Sequence, residues 1–412
     1  MPALQPFRAL RYNAERVPDL GRVIAPPYDV IGPEEQDRLY AASPHNVVRL
    51  ILGKHAPTDT DADNRYTRAR QVFDAWRQEE VLRQDPEPAL YLIEQTFAAD
   101  GAVQRRLGFI ALLGLEEPVE RAALRHEATL AAPKADRTRL LEAVPANLEP
   151  IFCVYPDQDG AIQGLLRAAA GQTPPASTAE WNGGTVRCWV AADPALARDV
   201  VQRLALARVL IADGHHRFEV AYANRHRYGA VMSFFVSMAD PGLRVRPIHR
   251  LVGGTPRPGA RDALRALGAV AQAESLSGVL AWLDEGGSSA QGRFGYVAPD
   301  GLFKVALGQE TLARWLMAPE VPLPLAGLGV SILHQLVLPR AGVRDADLTY
   351  AADARHAADA VERGQAACAW LLRGIPLAQV YALASQGLVL PPKSTYFYPK
   401  VPSGLAINAL GS

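Results

Sequence analysis

Apolar and polar positions alternate along the chain in short blocks, and each block predicts an element. ALYLIEQTF (89–97) and RRLGFIALLGL (105–115) are strand-length apolar runs separated by the turn signal AADGAV, which predicts a hairpin. Pro33-Glu34-Glu35 puts proline and acids in a first helical turn, where the helix dipole favours them, so a helix runs through Leu39. Tyr66, Ala69, Phe73 and Trp76 recur at helical spacing within a helix over 62–82. Residues 126–155 give a loop, a short helix and a strand at IFCVY, and GQTPPAST (171–178) gives a surface loop. Asp193-Pro194 opens a helix through Leu206. ARVLIA (207–212) is a strand, DGHHR a turn, and a helix follows to about Tyr228. VMSFFVSMA (231–239) is a buried strand, whereas LRVRPIHRLV (243–252), interrupted by Pro247, predicts an edge strand or a loop.

GGTPRPG (253–259) marks a boundary. Beyond it the pattern predicts helices at 260–273 and Val279–Asp284 and a hairpin from GRFGYVA and GLFKVAL. Helices at 309–317 and 326–340 follow. LPPKSTYFYPKVPSGL (390–405) is rich in proline and aromatic residues and predicts an ordered loop packed on the body. The expected fold is α/β of mixed type (α+β). A core of residues 1–252 carries a mixed sheet, and a smaller α+β region of residues 253–412 sends its last segment back onto that core.

Composition narrows the classes. The chain has 412 residues, 49% hydrophobic and 21% charged, which suits a globular protein with a substantial core. Lys plus Arg equals Asp plus Glu, 43 each, and this neutrality argues against a nucleic-acid partner, which calls for a basic excess. Three scattered cysteines define no disulfide framework or CxxC metal site and point to a reducing cytoplasm. The first residues lack the apolar stretch of a signal peptide, and no apolar run approaches the roughly 20 residues of a membrane helix.

The densest chemistry lies in IADGHHR. A strand-to-helix junction gathers backbone N–H groups at the positive end of the helix dipole, which makes an anion site. Gly214 allows close approach or positive φ, and Arg217 can grip phosphate or carboxylate through its fork. His215 and His216 can donate to the same anion or move protons. Asp213 can cap the helix, hold a histidine or bind a metal. The same pentapeptide is also compatible with a capped helix bearing surface polar groups, or with a zinc site. No Walker A, strand-borne GxGxxG or GxSxG motif occurs.

Other clusters offer supporting groups. His126-Glu127 can do acid–base work, with Lys134, Asp136 and Arg137 nearby in sequence. His249-Arg250 repeats the His-Arg pairing, and Tyr28-Asp29 sets a carboxylate on a proline-stiffened turn. Lys393 and Lys400 flank Tyr396, Phe397 and Tyr398, which suits closure over a nucleotide or plain packing.

PFRALRYN, APPYDVI, SPHNVVRL, HEATLAAPKADRTRLLEAVPAN, IADGHHRFEVA, PIHRLV and PPKSTYFYPKVPSGL together resemble the family called domain of unknown function 1015, from residue 6 to residue 405. IADGHHR is also similar to the phosphate-binding turn of the ParB/sulfiredoxin superfamily, and most to that of its free serine kinases. This resemblance implies that Gly214, His215, His216 and Arg217 contact nucleotide phosphates. From their own chemistry rather than the resemblance, Arg137, Lys393 and Lys400 can be further anion clamps, as can His249 and Arg250, which a structural role also explains. By the resemblance Asp213 would serve a magnesium ion or orient a histidine; the relatives' base is a carboxylate outside the turn that has no aligned counterpart here, and Glu127, His126 and Asp29 are offered for acid–base work from their own chemistry. The resemblance implies ADP or ATP with Mg2+, with CTP as the alternative, and a phosphoryl acceptor such as free serine. A homodimer is compatible with it. No cysteine stands in the turn, unlike sulfiredoxin, and no basic recognition helix is evident, unlike ParB. The resulting expectation is a nucleotide-dependent small-molecule phosphotransferase; a non-catalytic nucleotide-binding regulator and a phosphohydrolase are the alternatives.

Overall fold

The computed structural model describes residues 3–99, 101–205, 207–254, 259–285, 291–317 and 320–411. They form two compact units. One comprises Met1–Arg125, Thr129–Arg244 and Pro399–Ser412; the other comprises His126–Ala128 and Val245–Tyr398. The mixed α+β class expected from the sequence is what the chain adopts.

The first unit is built on an eight-stranded sheet. Its strands are β1 (Leu4–Gln5), β2 (Leu90–Ala99), β3 (Ala102–Gly114), β4 (Ile151–Tyr155), β5 (Ser177–Trp181), β6 (Gly184–Ala191), β7 (Leu210–Asp213) and β8 (Ala230–Ser237). The order is β7-β4-β8-β3-β2-β6-β5, with β1 added to β3. β2 and β3 form the expected hairpin, in register from Tyr91↔Ile110 to Ala99↔Ala102. Only the β4–β8 pairing in this sheet is parallel among the described residues; β7 runs antiparallel at the edge beside β4. Phe109, Tyr155, Phe218 and Phe235 fill the core against one face.

A second core of the same unit joins helix α1 (Pro33–Ala42) and helix α2 (Arg65–Gln78), through Leu39, Phe73 and Trp76, to Leu82 and Ile407. Asn64 starts α2 with a capping box shared with Thr67, so the helix begins later than the apolar spacing alone suggests. The C-terminal segment is threaded into this unit. Ser403 bridges Ala25, Ile407 bridges Leu10, and Asn408 and Ala409 pair with Asn147 and Ala146. Helix α3 (Ala131–Ala143), helix α4 (Ala161–Gln172), helix α5 (Pro194–Leu204) and helix α6 (His215–Ala223) complete it. Asp193 caps α5 through the Ala195 N–H. Residue 206, the expected end of that helix, lies outside the described residues, as do 255–258 of the boundary stretch.

The second unit holds a six-stranded antiparallel sheet. Its strands are β9 (His249–Val252), β10 (Gly268–Ala273), β11 (Arg293–Ala298), β12 (Gly301–Leu307), β13 (Leu348–Ala351) and β14 (Cys368–Leu371), in the order β10-β12-β11-β14-β9-β13. Helix α7 (Leu276–Asp284) and helix α8 (Ala354–Glu362) supply Val279, Leu283, Ala357 and Val361 to its core.

Three local expectations change. The helix foreseen over 260–273 stops at Arg265, and Gly268–Ala273 pairs with β12 over all six residues. Gly268 cannot carry a side chain there, because a Cβ would fall 2.1 Å from the Ala306 carbonyl. Here strand pairing overrides the helix preference of the alanines. Residues 249–252, foreseen at an edge or in a loop, pair with strands on both sides. Pro247 stands before the strand, so no ladder bond is lost to it. Tyr228 ends a separate short helix, because α6 closes at Asn224.

Candidate functional site

The Asp-Gly-His-His-Arg turn lies in the first unit, where the edge strand β7 meets α6. The β7–β4 register shifts between Ile211 and Asp213, a bulge that turns Asp213 at the strand end. Gly214 takes φ +90° and precedes the helix without a side chain to cap it. The first-turn N–H groups of α6 therefore lack a side-chain acceptor from the cap position.

Asp213 is held by two cations. Lys400 Nζ donates to Oδ1, and Arg217 Nη2 donates to Oδ2 at 3.1 Å. Burial opposes ionisation of Asp213, but Lys400 and Arg217 outweigh it and hold the carboxyl below its ordinary value. Gln95 fixes the Lys400 carbonyl at 3.0 Å. Arg217 also donates to the Pro150 carbonyl, and its charge is sustained against burial by Glu149, Asp213 and Asp29.

The histidines differ. His215 is buried, and burial pushes its pKa down to about 3, so its ring is neutral at neutral pH. It can donate one hydrogen bond and accept another, but it contributes no positive charge. His216 Nε2 accepts the Leu130 N–H at 3.0 Å, which leaves Nδ1 to carry the proton of the neutral ring.

A second ion network adjoins Arg217 electrostatically. Glu149 is 6% exposed; one of its oxygens accepts the Tyr28 N–H at 3.0 Å and the Ser403 hydroxyl at 3.2 Å. Burial raises its pKa despite Arg217 and Arg137. Arg137 Nη1 lies 3.6 Å from the other oxygen and donates to the Ile51 carbonyl at 2.8 Å. Its guanidinium stacks on the Tyr28 ring at 3.8 Å and pairs with Asp136, which also meets Arg65 and Tyr66. Tyr28 is pushed up to about 12 by burial. This scaffold fixes the turn Tyr28–Val30, on which Asp29 is exposed.

The remaining sequence candidates belong to the second unit. His126 is buried; its Nε2 meets Thr395 Oγ1 at 2.9 Å, and its ring packs 5.7 Å from that of Phe397. Glu127 accepts the Lys393 N–H at 3.2 Å, so these two form one local tie. His249 Nδ1 accepts the Leu372 N–H at 3.2 Å. Arg250 is fully buried and donates to His334 Nε2 at 3.0 Å and to the Pro392 carbonyl at 3.3 Å. Burial lowers Arg250 to about 10 and His249 to about 4. These bonds tie the second unit together.

Asp213, Gly214, His215, His216, Arg217 and Lys400 therefore form one cluster. Arg137 and the Asp29 turn belong to the same unit around Glu149. Glu149 escaped the sequence analysis because a single glutamate in ANLEP carries no spacing signal; only Pro150, whose carbonyl Arg217 uses, marks the spot. Ser403 was hidden within a proline-rich stretch for the same reason.

Among solved structures, the chain is similar to a conserved hypothetical protein from Pyrococcus furiosus, 15% identical, over 73% of this chain and 95% of that one, with a TM-score of 0.37. It is similar to a free serine kinase in complex with AMP, 12% identical, over 73% and 91%, with a TM-score of 0.38. It is also similar to a C-terminally truncated SbnI from Staphylococcus aureus, 10% identical, over 73% and 87%, with a TM-score of 0.38. No curated protein matches the chain. The family described as protein of unknown function DUF1015 matches residues 4–331, a span that holds the bulged strand end, the Gly214 turn and Glu149, and the chain belongs to that family.

Proposed function

We propose that this protein is a nucleotide-dependent phosphotransferase acting on a small molecule that carries a hydroxyl group. One observation carries the reading: Lys400 and Arg217 are both held on Asp213 at the first turn of a helix whose cap position is a glycine. Two fixed cations and main-chain donors at the positive end of a helix dipole suit the phosphates of a nucleoside di- or triphosphate. Phosphoryl transfer asks the protein mainly for positioning and charge stabilisation, which this arrangement supplies without a covalent intermediate. The likeness of IADGHHR to the nucleotide turn of the ParB/sulfiredoxin superfamily supports the same assignment.

In this scheme the acceptor oxygen forms a bond to the terminal phosphorus, and the bond from that phosphorus to the bridging oxygen breaks. The nucleotide leaves one phosphate shorter, and the hydroxyl proton passes to a carboxylate. Asp29 is the candidate in the first unit, since it is exposed on its fixed turn and its charge acts on Arg217. Asp213 is better suited to anchoring the two cations than to ligating a metal, because either oxygen would first have to release one of them. Magnesium fits this scheme as part of the substrate, carried on the nucleotide phosphates.

Calorimetric titration with MgADP, MgATP and MgCTP, followed by 31P NMR of turnover against a panel of hydroxyl compounds beginning with serine, tests the proposal. Asp29→Asn should abolish turnover and leave nucleotide affinity intact. Arg217→Ala should weaken nucleotide binding at least tenfold, as expected for a lost charge-assisted contact worth about 1.5–3 kcal/mol. A folded protein that binds none of the three nucleotides at millimolar concentration would refute the assignment.

A further inference from the structure

The first unit also contains a cleft of about 60 Å3 that the chemistry above leaves unused. Its walls are apolar: Leu140 and Leu141 from α3, Val220 from α6 and Val231 from β8. One water-sized group takes about 10–15 Å3 on this scale, so the cleft of about 60 Å3 holds roughly four to six such groups. Ala146, Leu148, Ile151 and Ala221 extend the apolar lining, Asn147 adds one amide, and three ionisable residues, Arg137, Arg217 and Glu149, stand among them. Both guanidiniums already have counter-ions outside the lining, Asp136 on Arg137 and Asp213 on Arg217, but the buried Nε–H of Arg217 makes no hydrogen bond among the described residues and remains a donor for an anion.

From this pairing of aliphatic walls with two guanidiniums, we infer that the cleft binds a small carboxylic acid with a short, branched aliphatic chain. The chain lies along Leu140, Leu141, Val220 and Val231, and the carboxylate faces the charged residues. Arg217 gives the position its meaning. It lines the cleft and also holds Asp213 beside the Gly214 turn, so the carboxylate would sit next to the proposed phosphate site. Only its nearness to a phosphate site rests on the phosphotransfer reading; its binding in the cleft does not.

Isovalerate, whose chain fits the volume, is the probe, with acetate and 3-methylbutanol as controls that lack the chain or the charge. Binding is followed on the full-length protein by methyl-labelled NMR without nucleotide. Isovalerate should bind with shifts centred on Leu140, Leu141, Val220 and Val231, and both controls should bind at least tenfold more weakly. Leu141→Trp, at a half-buried wall position, and Ala221→Leu should each weaken isovalerate at least tenfold while the rest of the spectrum stays folded. Equal binding of acetate or of the alcohol, shifts centred elsewhere, or no saturation by 50 mM isovalerate would overturn the inference. A parallel MgADP titration separates the two claims. Isovalerate binding without nucleotide binding keeps the cleft and removes the phosphotransferase; the reverse keeps the phosphotransferase and removes the cleft.

Discussion

Arg217 lies directly over Gly214. A methyl group on the Gly214 α carbon would come within 3.0 Å of Arg217 Nη2 and 3.1 Å of Cζ. The glycine is thus required twice, by its φ of +90° and by the guanidinium above it. Gly214→Ala should destabilise the protein by about 1–2 kcal/mol from the backbone conformation alone, and by more if Arg217 must leave Asp213. Urea unfolding measures the loss, and nucleotide titration of the folded variant should show weakened affinity.

The Lys400–Asp213–Arg217 group makes a sharper prediction. All three side chains are largely shielded, with 14%, 12% and 10% exposure. Asp213→Asn removes the carboxylate that Lys400 and Arg217 share and should cost about 3–5 kcal/mol, the usual penalty for breaking a buried pair. Adding Lys400→Met should recover part of that loss, because one of the stranded charges disappears. A double-mutant cycle from denaturant midpoints gives the coupling, and strict additivity would contradict the geometry.

Stability should fall in mild acid. His215 and His249 are held neutral by burial, at about 3 and about 4. The unfolded chain binds protons at these histidines below about pH 6.5, and the folded chain does not until pH falls close to those values. Stability therefore declines as pH falls from about 6.5 toward 4. Glu149 acts oppositely, since its raised pKa favours the fold at lower pH within the range above 4.5. Melting temperatures between pH 7 and 4.5 should drop, and His215→Gln should flatten that slope.

Glu149 accepts from Tyr28 and Ser403, and both bonds need an acceptor rather than a charge. Glu149→Gln keeps an acceptor of the same shape and removes the cost of a buried charge, so its stability should lie within about 1 kcal/mol of the parent. Glu149→Ala strands the Tyr28 N–H and should cost about 1–3 kcal/mol. Thermal unfolding of the pair distinguishes the two effects.

The hairpin at 90–114, the helix at Arg65–Gln78 and the strand–turn–helix around Gly214 were legible because each rests on local rules. These are apolar periodicity, a turn between two apolar runs, and a glycine where a strand meets a helix. The strand at Gly268–Ala273 was not legible, because its alanines favour a helix until β12 offers a full set of partners. The interior place of His249–Val252 likewise depends on strands far along the chain.

The candidate site divides in the same way. By itself the sequence determined a dense polar turn, Asp213 through Arg217, because adjacent residues at a strand end must share one locality. Only the tertiary structure decided what those groups face. It brings Lys400, 187 residues away, onto Asp213, and sets Ser403 on Glu149, which holds the Tyr28 turn. It also gathers His126, Glu127 and Lys393 in the other unit. Such partners are chosen by chain threading and by the need to pair buried charges, and neither leaves a periodic mark in the sequence.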